Sequence, residues 1–134
     1  MDAQQYLTEI KSRLIASPVV ETFSIVDERD LSDRGYFRAR VRLTNTDFLE
    51  IAEYFLIIEN QPRVERYRYQ WMDRAQETLR KRWDNVPHFP DLPNFPHHVH
   101  ISAEDNVKTA VPRGITEFLT FLEAEILPEP ESVD

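Results

Sequence analysis

The chain has no cysteine among its 134 residues. That absence excludes disulfides, thiol catalysis, iron–sulfur clusters and every zinc site that needs a thiolate. No apolar run approaches the roughly 20 residues that a membrane span requires. The opening Met1-Asp2-Ala3-Gln4-Gln5 also lacks the basic start of a signal peptide. Together these absences predict a cytoplasmic protein without a membrane partner. Basic residues are scarce toward the end, where residues 83–134 hold two against ten acidic side chains. With a net charge of −8, bulk attraction does not make this chain a general nucleic-acid binder.

What is present is an ordinary globular balance, 41% hydrophobic and 30% charged, in a length that suits one domain. The expectation is a single domain over residues 1–128 followed by an acidic tail at 129–134. The charge is segregated. Residues 1–33 sum to −4, residues 34–82 to +4 and residues 83–134 to −8. The middle third is therefore basic inside an acidic protein, and ten of its eleven cations are arginine. Arginine's planar fork suits phosphate and carboxylate.

Apolar spacing at Tyr6, Leu7, Ile10 and Leu14 predicts a helix over 3–15, with Asp2 and Gln5 as a capping box and Ser17-Pro18 as its end. A weak alternation predicts a strand at 19–26, followed by a polar loop at 27–33. Phe37, Ala39, Val41 and Leu43 alternate with Arg38, Arg40 and Arg42, the signature of a strand with one buried and one wet face. Further strands are expected at 48–59, 64–72 and 78–83, the first of them apolar on both faces in its second half. Short turns between them require antiparallel neighbours. A second helix is expected at 114–127, stopped by Pro128. The predicted class is α+β, one antiparallel meander of about five strands with a helix from each end of the chain packed on it.

Residues 87–98 carry proline at every third position: Pro87, Pro90, Pro93 and Pro96. That period predicts a polyproline II strap with Phe89, Leu92 and Phe95 along one face. Extended in this way, the strap would hold His88 about 28 Å from His97, outside any shared site. All four histidines fall within 88–100, and His98 and His100 would share one strand face about 7 Å apart, with His97 on the other. The pair admits three readings: general acid and base, metal ligands completed by Asp84, Asp91 or Glu53, or backbone-bonded structural residues. Arg66 and Arg68 share a strand face, as do Arg80 and Arg82, and a common face for both pairs would make an anion cradle. The alternative is a solvated outer face. Tyr67, Tyr69 and Trp71 lie beside these arginines, either as core or as a stacking platform for bases. Trp83 is most simply core, and Asp84 either orients a histidine or pairs with Arg82.

Glu53-Tyr54, Tyr67-Arg68-Tyr69-Gln70-Trp71, Arg82-Trp83-Asp84-Asn85-Val86-Pro87-His88 and Phe95-Pro96-His97-His98-Val99-His100 resemble, in order, the blocks of the TumE family, small prokaryotic toxins of toxin–antitoxin pairs. The resemblance runs over about residues 3–127. Two positions depart from it: Phe89 and Gln70 stand where the family commonly has histidine. It implies a growth inhibitor acting on RNA and neutralised by a cognate antitoxin. The expected catalytic group is His97, His98, His100, Arg82 and Asp84, and the expected RNA-binding group is Arg66, Arg68, Arg80 and Tyr69. A metal-free endoribonuclease without cofactor fits those residues. In it one of His98 and His100 takes a ribose 2′-hydroxyl proton and the other protonates the leaving oxygen. A non-catalytic module for RNA or an acidic protein and a metal-dependent hydrolase are the alternatives. A homo-oligomer is compatible with the sequence, which does not set the oligomeric state.

Overall fold

Alternation along one strand fixes the two faces of the sheet. In the computed structural model, which describes residues 1–127, β2 (Arg34–Leu43) turns Gly35, Phe37, Ala39, Val41 and Leu43 inward and its arginines outward. The register carries that division across the sheet. Ala39 stands opposite Ile51 of β3 (Phe48–Ile58), which faces Tyr69 of β4 (Gln61–Met72). Tyr69 in turn faces Trp83 of β5 (Leu79–Asp84), and Trp83 faces Val99 of β6 (His98–Ile101). β1 (Val20–Asp30) lies outside β2, and β7 (Val107–Thr109) closes the other edge.

The sheet has seven antiparallel strands in strict chain order, where about five were expected. The two additional strands, β6 and β7, follow the proline-rich segment and have four and three residues. β1 also reaches Asp30, through the expected polar loop, because Asp27 to Asp30 pair with Arg38 to Gly35. Only residues 31–33 turn the chain there. Glu59 and Asn60, both at positive φ, close β3 to β4 one residue earlier than the expected turn.

Both helices pack on the inner face. α1 (Ala3–Ala16) has the expected capping box and presses Tyr6 edge-on against Phe55 at 4.6 Å. In α2 (Ile115–Ile126), Phe118 stacks on Tyr69 at 4.4 Å and meets Trp83 at 5.0 Å. Arg13 and Ser17 both bond Glu123, which ties the two helices together. Gly114, at the α2 N-cap, has no side chain to cap with, and the first helical N–H of Ile115 is taken instead by Glu53 of β3 at 2.8 Å. Among the described residues no helix covers the opposite face, so β3 is not sandwiched there as its apolar run suggested. Tyr54 and Leu56 are half-buried there, and the guanidinium of Arg66 lies over the Tyr54 ring. The acidic tail expected at 129–134, and Pro128 before it, lie outside the described residues.

The proline-rich segment is a run of turns rather than a polyproline II strap. Leu92 N–H bonds Phe89 O, Phe95 N–H bonds Leu92 O and His97 N–H bonds Asn94 O. Polyproline II has no internal hydrogen bonds. Proline's fixed φ also suits the second position of a β-turn, which Pro90 and Pro93 occupy, so the same period folds into consecutive turns. The segment curls back over the open face and leaves Phe95 exposed.

Candidate active site on the open face of the sheet

Three adjacent strands bring the polar residues together. On the open face Arg68, Asp84 and His98 form one cross-strand row, and Gln70, Arg82 and His100 form the next. Alternation along β6 aims His98 and His100 the same way, as expected, with ring centroids 4.9 Å apart. Asp84 sits between them. Its Oδ1 lies 3.0 Å from His98 Nε2, and its Oδ2 lies 3.7 Å from His100 Nε2. The carboxylate is further held by the Val86 N–H at 3.0 Å and Arg82 Nε at 3.4 Å. All three of Asp84, His98 and His100 are buried.

The far nitrogens of both imidazoles are committed. His98 Nδ1 donates to Pro96 O at 2.8 Å, and His100 Nδ1 donates to Glu104 O at 2.9 Å. A carbonyl oxygen only accepts, so each Nδ1 carries the ring proton. Glu104 has a second role, because its carboxylate holds both terminal nitrogens of Arg82. That ion pair keeps the Glu104 carboxyl below its ordinary range and raises the Arg82 guanidinium. Phe89 closes over the pair, its ring 4.9 Å from His98 and 5.9 Å from His100. A pocket of about 380 Å³ opens beside them and is walled by Arg68, Arg82, His88, Phe89 and Glu104.

This pocket runs into a larger groove of about 820 Å³ along the same face, with Arg68 and Val86 lining both. Tyr36, Tyr54, Arg38 and Arg66 form its floor, and Asn85, Pro87 and Pro96 form one wall. Arg38 is neutralised by Glu50 at 2.6 Å. Arg68 bonds only the neutral amide of Gln70, and no carboxylate among the described residues pairs with it.

Several expected site residues stand elsewhere. His97 points to the inner side, stacks on Tyr67 and shares a 2.9 Å hydrogen bond with its hydroxyl; burial, and then His98, lower its basicity. Tyr69 is buried under α2 and donates its hydroxyl to Arg113 O, so it offers no surface to a base. Trp71 likewise turns inward and donates Nε1–H to buried Asp47. Arg80 pairs with the same Asp47 at 2.7 Å, because a bulge between Trp71 and Met72 displaces it from the row of Arg82. The four-arginine cradle therefore does not form. Arg68 and Arg82 meet at the pocket, and Arg66 stands in the groove.

Glu53, a candidate third donor for the histidines, faces inward and caps α2, and Asp91 is exposed. His88, expected far from the other histidines, lines their pocket because the turns bring it back. Glu104 and the platform of Tyr36 and Tyr54 were missed. Tyr36 shares strand parity with Arg38 and was readable on that ground, whereas Tyr54 meets Arg66 only through the β3–β4 register. Glu104 acts from a loop that has no period.

Among the described residues, Asp84, His98 and His100 are the one group of three histidine or acidic side chains whose ligating atoms converge, all within 4.8 Å. A family model described as Toxin TumE matches residues 10–126. The chain belongs to this toxin family. No curated protein and no solved structure shows a significant match. TumE membership makes it a toxin of a toxin–antitoxin pair, for which an antitoxin is the partner. The matched span contains every strand and every residue of the pocket. No helix among the described residues is long and apolar enough to cross a membrane.

Proposed function

We propose that this TumE toxin arrests growth in the cytoplasm by cleaving RNA at the pocket of Arg68, Arg82, Asp84, His98 and His100, and that a cognate antitoxin neutralises it. The observation that carries the reading is Arg68. Among the described residues it is a guanidinium without a carboxylate partner, placed where a groove floored by two tyrosines meets a buried Asp–His–His centre. A single RNA strand lies along the groove, its bases against Tyr36 and Tyr54 and its backbone toward Arg66. The scissile phosphate then rests on Arg68. The ribose 2′-oxygen attacks phosphorus and the bond to the 5′-oxygen breaks. The proton lost by the 2′-hydroxyl passes through the Asp84–His98–His100 centre and ends on the leaving oxygen. Arg68 stabilises the charge that develops on the phosphorane.

The test is induced expression beside an in vitro cleavage assay with purified full-length chain. Wild type arrests growth and fragments RNA, and Arg68→Ala lowers the cleavage rate by about 100-fold while remaining folded. RNA that is bound but left intact by the wild type would favour the non-catalytic binding module. Growth unaffected by the wild type would remove the toxin activity altogether.

A further inference from the structure

The three converging side chains pose a problem of lone pairs. Both Nδ1 protons are given to backbone carbonyls, so each neutral imidazole presents an unprotonated Nε2. Both of those nitrogens lie near the oxygens of one carboxylate, His98 Nε2 at 3.0 Å from Oδ1 and His100 Nε2 at 3.7 Å from Oδ2. With both rings neutral, an acceptor lies near an acceptor on each side of Asp84, under the Phe89 ring. A single cation shared by all three donors relieves it with one particle.

We propose that Asp84, His98 and His100 bind a divalent transition-metal ion of the zinc type, ligated by the two Nε2 atoms and the carboxylate, with its remaining position open to the pocket. Five features support this. Ligands about 2.0–2.1 Å from a tetrahedral ion stand about 3.4 Å apart; His98 Nε2 lies 3.0 Å from Asp84 Oδ1, His100 Nε2 lies 3.7 Å from Oδ2, and the three ligating atoms fall within 4.8 Å of one another. The Nδ1–H bonds to Pro96 O and Glu104 O are the outer contacts that fix metal-binding histidines in the right tautomer. Val86 N–H and Arg82 orient the carboxylate in the same way. Two nitrogen donors favour zinc and its neighbours over magnesium or calcium, which prefer oxygen. Two histidines and a carboxylate leave a coordination position free, as catalytic zinc sites do, whereas structural sites are closed by four ligands.

The site's binding of metal does not depend on the proposed RNA cleavage; only the ion's role does. Bound there, a zinc-type ion would lower the pKa of a coordinated water to near neutrality. With both Nε2 atoms on the ion, that water rather than an imidazole would take the proton that the centre passes on.

The experiment uses the purified full chain, stripped with chelator and titrated calorimetrically with zinc chloride. One equivalent binds per chain. Asp84→Asn and His100→Ala weaken binding by more than about 100-fold, and His97→Gln, outside the pocket, keeps the stoichiometry. Nitrogen NMR of the wild-type imidazoles provides a readout that needs no variant, with zinc shifting two Nε2 resonances and leaving both Nδ1 protonated. A folded wild type that takes up no zinc, or Asp84→Asn and His100→Ala variants that bind as tightly as wild type, overturns the proposal. Zinc shifts confined to His88 or His97 overturn it as well. The metal readout involves no RNA, so zinc bound by a chain that leaves RNA intact upholds the site and removes the cleavage reading. Cleavage by a chain that binds no zinc does the reverse.

Discussion

Glu53 shows how a single residue is set by what surrounds it. Burial pushes its carboxyl up to about 7 from the ordinary 4.5, and the bonds it receives from Tyr6, Ile115 and Tyr69 offset this only in part. One of its oxygens, Oε2, has no hydrogen-bond partner. The folded chain therefore holds the proton more tightly than the unfolded chain. Stability is complete below about pH 4.5, falls as pH rises toward 7 and levels off above it, by about 3 kcal/mol in all. Glu53→Gln removes that titration, so urea unfolding of the variant should show little change between pH 5 and pH 8. The wild type should lose stability over the same interval. A wild type more stable at pH 8 than at pH 5 would mean that the α2 N-terminus holds Glu53 ionised.

The residues of the pocket were legible to different degrees for physical reasons. His98 and His100 were readable because alternation along any short strand puts them on one face. The same alternation sends His97 to the other face, where it meets Tyr67. Asp84 was readable as an orienting partner, though its place between both imidazoles follows from the β5–β6 register. Arg80 was not readable, since one bulge decides its row.

Among the elements, β2 was the clearest in the sequence and is also the most constrained. A Cβ on Gly35 would stand 2.5 Å from Phe55 Cζ and 2.7 Å from Arg29 O. The ring can shift, but the carbonyl belongs to the β1 backbone and cannot shift alone. Gly35→Ala should therefore cost about 1–3 kcal/mol, seen as a lower urea midpoint, through strain where β1 and β3 both approach β2. An unchanged midpoint would show that the β1–β2 ladder yields easily at that end. β6 and β7 were not legible, because four and three residues are too few to display a period. All three of His98, Val99 and His100 are buried, which hides even the short alternation. The proline triplets were ambiguous for a different reason. Proline every third residue fits both a polyproline column and serial turns, and only the placement of N–H donors separates them.

At the scale of the whole molecule, the protein carries a net −8, yet its helix-free face presents Arg38, Arg40, Arg42, Arg66, Arg68 and Arg82. Several of these are cancelled by Glu50 and Glu104. Arg66 and Arg68 are the groove arginines without an acidic partner among the described residues. Binding of a short single-stranded RNA should accordingly depend weakly on salt, with a slope of log K against log salt near −1.4 for two phosphates engaged. Arg66→Ala should reduce the slope by about 0.7 in a fluorescence anisotropy titration. A slope several times steeper would place the RNA on some other surface.

The strict chain order of the strands bears on how such a toxin is born at the ribosome. Each strand finds its neighbour as soon as it is synthesised, so the Asp–His–His centre is complete in sequence once Glu104 has emerged. The inner face is not complete then, because Tyr69 and Trp83 still await Phe118 of α2. A nascent chain thus carries its chemistry before it has the core to hold it in place. The pocket waits on a helix encoded after every residue that lines it, so a chain cut before Ile115 would hold the site's side chains without the packing that fixes their strands.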